Sequence, residues 1–187
     1  YDRNRTFYTT ISPSMDILIS SNLERLLYSV CGSDTEVAGY MAELAGTGRY
    51  EVSDAVKAVI GKHFVGGYCS DDETKSAINK VYTENGYLMD THTAVAYNKL
   101  AAYRKDTGCV TPAVVVSTAS PYKFCNSVLQ ALGQESDAPG TELIEKLSEV
   151  TKTAIPKPLE GLDRREKRFE LVVDKPEMKA TVADFLK

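Results

Sequence analysis

Apolar positions in the first part of the chain recur at intervals of three and four residues. Leu26, Leu27 and Val30 follow Ser21, and Val37, Tyr40, Met41 and Leu44 follow Ser33. That spacing sets side chains along one side of a helix, so each stretch predicts an α-helix burying one face. Ser-x-x-Glu opens both, as Ser21 with Glu24 and Ser33 with Glu36, and recurs as Ser70 with Glu73. In such a capping box the hydroxyl accepts from an unpaired amide and the Glu reaches back to the cap. Gly32 and Gly46 are suitable stops for the first two helices, because glycine takes the left-handed conformation that ends a helix. The third helix runs through Ile78, Val81 and Tyr82 to near Gly86. Ser53 caps a short helix ending near Gly61, and Asp90 caps another running towards Lys105.

A different pattern sets in at Ala113 to Ser117, a β-branched run after Pro112 with apolar residues on both faces. It predicts a short buried parallel strand. Ser120 and Pro121 follow at once as an N-cap and first-turn pair, so the chain passes directly into a helix reaching Leu132 and Gly133. Weaker strands are expected at Thr6 to Thr10, His63 to Tyr68 and Phe169 to Val173, and a last helix from about Pro176 to Leu186. Residues 134–141 and 153–163, rich in Gly, Pro and polar residues, read as loops. The fold class expected is α/β: part of a parallel sheet with helices on both faces. Helices outnumber strands, whereas a parallel sheet is covered on both sides and built from many, so part of the sheet is expected to be missing.

At 187 residues and 43% apolar content the chain can bury one sizeable core or two small ones. One domain over 1–187 is the expectation, with 156–187 as its C-terminal segment, since no repeat or low-complexity stretch marks a boundary. With 26 Asp plus Glu against 22 Lys plus Arg, the chain offers no broad cationic surface, which argues against a nucleic-acid partner. No stretch approaches the roughly 20 apolar residues a bilayer requires, and none resembles a signal peptide. The expectation is a soluble, cytoplasmic protein without a membrane partner. Cys31, Cys69, Cys109 and Cys125 lie far apart without a CxxC pair, so reduced thiols are expected rather than a zinc site or disulfide framework. The chain opens on Tyr1 in a run that reads like the middle of a protein, and a piece of a longer chain is expected.

The most informative stretch for chemistry is Ser117 to Phe124, which sets hydroxyls at the carboxyl end of the best strand, where α/β folds bind ligands. On the residues alone those hydroxyls read first as helix caps, with a ligand contact as the second reading still open. Ser120 and Lys123 form an S-x-x-K pair, but the companion S-D-N and K-T-G motifs of acyl-transfer enzymes are absent. Asp106, Thr107 and Gly108 spell an aspartic-protease loop without the second copy such a site needs. His63 and His92 are the only histidines, too few at suitable spacing for a metal site. Arg164, Arg165, Lys167 and Arg168 are interrupted by Glu166 and read as a solvated face.

Three separated stretches together resemble threonine synthase, of the tryptophan-synthase-β-like group of pyridoxal-phosphate enzymes. Ser12 to Leu18 and Ser21 to Tyr28 resemble its SPSMDI and SNLER signature. Gly86 to Leu88 with Asp90 to Val95 is similar to its GY(x)xDPHTAV segment, and Ser117 to Phe124 resembles its STAHPxKF. The matches come in the family's order and cover most of residues 1–130. Thr91 stands where Pro is usual and Ser120 where many members have His, so a role for that His has no support here. The resemblance implies a parent enzyme, a carbon-oxygen lyase acting on phosphates, that converts O-phospho-L-homoserine and water to L-threonine and phosphate. The cofactor implied is pyridoxal phosphate, held as a Schiff base. In this group a Ser or Thr hydroxyl faces the pyridine nitrogen, and motif position implies Thr118, with Ser117 beside it. A neutral hydroxyl hydrogen-bonds that nitrogen without forcing its protonation.

For Ser14, Asp16, Asn22, Arg25, Asp90 and His92 the resemblance implies an active-site or interdomain position without a chemical step. The Schiff-base Lys and the Gly-rich phosphate loop belong, in this family, upstream of everything present. The catalytic Lys is therefore unidentified, the N-terminal remainder of the same enzyme is the partner implied, and the piece alone is expected not to turn over. Two alternatives remain: another enzyme of the group, such as a threonine dehydratase or cysteine synthase, and a non-catalytic α/β module that binds a partner. The SPSMDI and DxHTAV stretches favour threonine synthase over its relatives.

Overall fold

The computed structural model describes residues 1–135, 138, 140–166 and 168–187. Ser136, Asp137 and Pro139 of the loop expected at 134–141, and Lys167 of the basic run, lie outside them. The described residues form α-helices α1 (Ser21–Cys31), α2 (Asp34–Thr47), α3 (Asp54–His63), α4 (Asp71–Asn85), α5 (Thr91–Thr107), α6 (Cys125–Ala131), α7 (Glu142–Thr151) and α8 (Met178–Phe185). Short 3-10 turns at Pro13–Met15, Pro121–Phe124 and Lys175–Glu177 precede or join them.

The three expected capping boxes have three different outcomes. Ser70 and Glu73 form the complete reciprocal box at the start of α4. Ser33 accepts from the Glu36 amide, but the Glu36 carboxylate goes to the Tyr40 hydroxyl at 2.6 Å, leaving the box half made. At α1 the cap is Ser20, one residue earlier than expected, and it makes no side-chain hydrogen bond. The stop of α2 also moves, from Gly46 to Gly48, which takes φ +82°. Both shifts follow from apolar spacing deciding where a helix lies, while a cap only trims its end.

Two hydrophobic cores result. Leu27 of α1, Leu44 of α2, Tyr50 and Val56 of α3 form the smaller. The larger joins Ile78 and Val81 of α4, Ala94 of α5, Val128 and Leu129 of α6, and Leu143, Ile144 and Leu147 of α7. Helix α7 is absent from the sequence-based expectation, although Leu143, Leu147 and Val150 keep helical spacing.

The parallel sheet is corrected: among the described residues there is no strand, and the sole β-pairing is a one-residue antiparallel bridge between Asp2 and Arg49. Residues 113–117 run as an unpaired segment with Val114 and Val116 89% and 67% exposed. Residues 6–10 and 169–173 are likewise unpaired, and His63 ends α3 rather than opening a strand. The physical reason is that a strand borrows its hydrogen bonds from a neighbour, and no described segment lies alongside to supply them.

Candidate functional site

The turn at residues 10–16 is tied down by acidic and imidazole acceptors. The Asp16 carboxylate accepts from the Thr10 amide at 2.6 Å and its hydroxyl at 2.8 Å, folding the segment back on itself. Asp71, at the start of α4, accepts from the Ile11 amide at 3.1 Å. His92 Nε2 accepts from the Ser14 amide at 3.2 Å, joining the turn to α5.

Asp90 caps α5 from complete burial, its side chain 0% exposed. Its Oδ1 accepts from the amides of His92 at 2.8 Å and Thr93 at 3.3 Å, while the Thr93 hydroxyl donates to Oδ2. A buried carboxylate would ordinarily be costly, and here the amides and positive end of the helix offset that cost. His92 Nδ1 lies 3.3 Å from Asp90 Oδ1, and the ring tilts over Phe124 with centroids 4.9 Å apart. The Thr93 hydroxyl also lies 3.2 Å from that of Ser117. The two halves of the family-like pattern therefore meet around the first turn of α5.

Between them opens a cleft of about 730 Å³. One wall is the 10–16 turn, with Ser12, Ser14 and Asp16; another is Val116, Thr118, Ala119 and Lys123; the floor is α5, through His92, Val95, Ala96 and Lys99. Those four helical positions are spaced i, i+3, i+4 and i+7, one face of the helix. Thr118 is exposed, and Ser120 caps the following turn by accepting from the Tyr122 amide at 3.3 Å. The Tyr122 hydroxyl fixes that turn from below, donating to the Thr153 carbonyl at 2.8 Å.

Ser14, Asp16, His92 and Thr118 thus line one cleft, with Asp90 beneath it and Ser117 at its edge. Asn22 and Arg25 do not join them: both lie on α1, and Arg25 borders a separate shallow groove with Tyr28 and Met41. Lys99 is absent from the sequence-based reading, although the His92, Val95, Ala96, Lys99 spacing could have found it, and Thr93 enters that reading only within the Asp90 to Val95 stretch, without a role. Cys69 also lines the cleft. Burial pushes its thiol up, against the pull of Lys99, which suits a packing residue better than a nucleophile. Cys125 is buried deeper, in the larger core, and burial pushes it up to about 11.

Residues 93–183 match the family model for threonine synthase, C-terminal. The likeness is to the C-terminal part of the threonine synthases. Human threonine synthase-like 1 is 38% identical over 135 residues, 71% of this chain and 18% of that protein. The crystal structure of yeast threonine synthase superposes with a TM-score of 0.81 at 28% identity, covering all of this chain (100%) and 38% of that one. A pyridoxal-phosphate-bound threonine synthase from Brucella melitensis superposes with a TM-score of 0.62 at 35% identity, over 81% of this chain and 31% of that one. The chain therefore spans less than two fifths of each of these threonine synthase relatives. Among the described residues no helix is long and apolar enough to cross a membrane.

Proposed function

We propose that the chain contributes one side of the active site of a threonine synthase, a lyase that turns O-phospho-L-homoserine and water into L-threonine and phosphate. The observation that carries this reading is the meeting of the family-like stretches, distant in sequence, around the cleft above α5. The residues present fit one side of a pyridoxal phosphate ring: Val95, Val116 and Ala119 offer apolar walls, and Thr118, an exposed residue, brings a hydroxyl to the lining. Bound pyridoxal phosphate supplies the electron sink for this chemistry. The chain's own residues orient and tune it. Thr118 would donate a hydrogen bond to the pyridine nitrogen without forcing its protonation, with Ser117 beside it. Lys99 and Lys123 give the cleft positive charge suited to a phosphate ester. Ser14 and Asp16 shape the opposite wall.

The covalent Lys and the phosphate loop come from the N-terminal remainder of the enzyme, so this chain by itself does not turn over. The test is to join the chain to that remainder, add pyridoxal phosphate and O-phosphohomoserine, and follow phosphate release. Thr118→Ala should lower turnover at least about tenfold and shift the absorbance of the bound cofactor. Unchanged rate and spectrum would remove Thr118 from the site. A non-catalytic partner-binding module has the exposed extended segments in its favour. No phosphate release from properly folded, joined pieces would support it instead.

A further inference from the structure

We propose that Asp90 is a positioning residue which, through His92 on one arm and Thr93 on the other, sets both walls of the cleft at once. The first arm follows from proton bookkeeping. A backbone amide can only donate, so His92 Nε2, 3.2 Å from the Ser14 nitrogen, must be unprotonated. The neutral ring then carries its proton on Nδ1, which faces Asp90 Oδ1 at 3.3 Å and the Thr91 hydroxyl at 3.4 Å. The Thr91 hydroxyl is the one in hydrogen-bond geometry, and the negative charge of the Asp90 carboxylate beside Nδ1 favours the proton there. Asp90 thereby favours the tautomer that lets His92 hold the Ser14 turn, and the Phe124 ring packs at a tilt against the imidazole.

The second arm runs through one hydroxyl. Asp90 Oδ2 holds the Thr93 hydroxyl, and that same hydroxyl lies 3.2 Å from Ser117 Oγ, placed to donate to it. Ser117 is thereby oriented from below, and Thr118 follows it in the chain. An ordinary N-cap accepts from one or two amides at the helix start. Asp90 does this too through Oδ1, which also lies beside His92 Nδ1, while its second oxygen takes the Thr93 hydroxyl. The catalytic meaning of this device rests on the cofactor reading of the cleft, whereas its geometry can be tested without turnover.

The experiment is ¹⁵N NMR of the 187-residue chain, with His63→Gln assigning the two imidazoles. His92 should carry its proton on Nδ1. Asn caps a helix as well as Asp does, so Asp90→Asn should leave the α5 amides protected while shifting His92 towards the Nε2-protonated form. Exchange of the Ser14 amide should rise several-fold, roughly to the extent expected for one weakened hydrogen bond. His92→Ala should release Ser14 alike and spare α5, which keeps the test open if Asp90→Asn unfolds. A proton on Nε2 in the unaltered chain would overturn the proposal. So would a Ser14 amide indifferent to the substitutions.

Discussion

The α4–α7 bundle and the segment 109–117 are both rich in aliphatic side chains, yet they end in opposite surroundings. Ile78, Val128 and Leu147 are fully buried at 0% exposure, while Val110, Val114 and Val116 stand 91%, 89% and 67% exposed. Side-chain chemistry does not separate them. The backbone does, because a helix closes its hydrogen bonds within itself and is then free to bury one face against another helix. An extended segment must find a neighbouring strand first, and only then does it gain a sheet face to bury. The bundle is thus complete within the chain, whereas residues 109–117 have the sequence of a buried strand without its pairing.

The largest test of this contrast is truncation on either side of it. Leu147→Ala should cost about 2–5 kcal/mol in urea denaturation of the chain, whereas Val114→Ala should stay within about 0.5 kcal/mol. Equal costs would break the distinction. Next comes local closure of the helices. Ser70→Ala should lose about 1 kcal/mol, because Ser70 caps α4 through the Glu73 amide. Ser21→Ala should change little, since α1 makes no such bond at its start.

The smallest effect concerns the other half of the α4 box. The Ser70 amide and hydroxyl donate to Glu73 and hold its carboxyl below the ordinary value of 4.5. A depressed carboxylate stabilises the fold above its unfolded pKa, and that contribution is lost as pH falls through the folded value. Denaturation midpoints should therefore fall with acidification less steeply in Glu73→Gln than in the parent chain. Identical pH profiles would show the box to be idle.

The helices were legible wherever apolar spacing and a cap agreed, as at Ser70 and Asp90. Boundaries slipped where the two signals disagreed: Ser21 gave way to Ser20, and Gly46 to Gly48. The sheet does not form among the described residues because Val114 to Val116 specify a strand only given a partner, and a partner is not written in the segment itself. For the cleft, Ser14, Asp16, His92 and Thr118 were within reach because a family pattern names them. Thr93 stands in the same pattern, but its role was not within reach, since its place between Asp90 and Ser117 depends on how the 117–120 turn returns to the first turn of α5. Lys99 sat in plain view two turns beyond His92. It went unread because a lysine near the middle of a helix ordinarily faces solvent.

The central claim is that the valine-rich segment becomes a strand, and its terminal hydroxyls a cofactor contact, only when the rest of the enzyme is alongside. Amide hydrogen exchange at residues 113–118 addresses it directly, measured in the chain alone and again when joined to its N-terminal remainder with pyridoxal phosphate. The account predicts fast exchange alone and strong protection in the joined form. Protection already present in the chain alone, or none gained on joining, would contradict it.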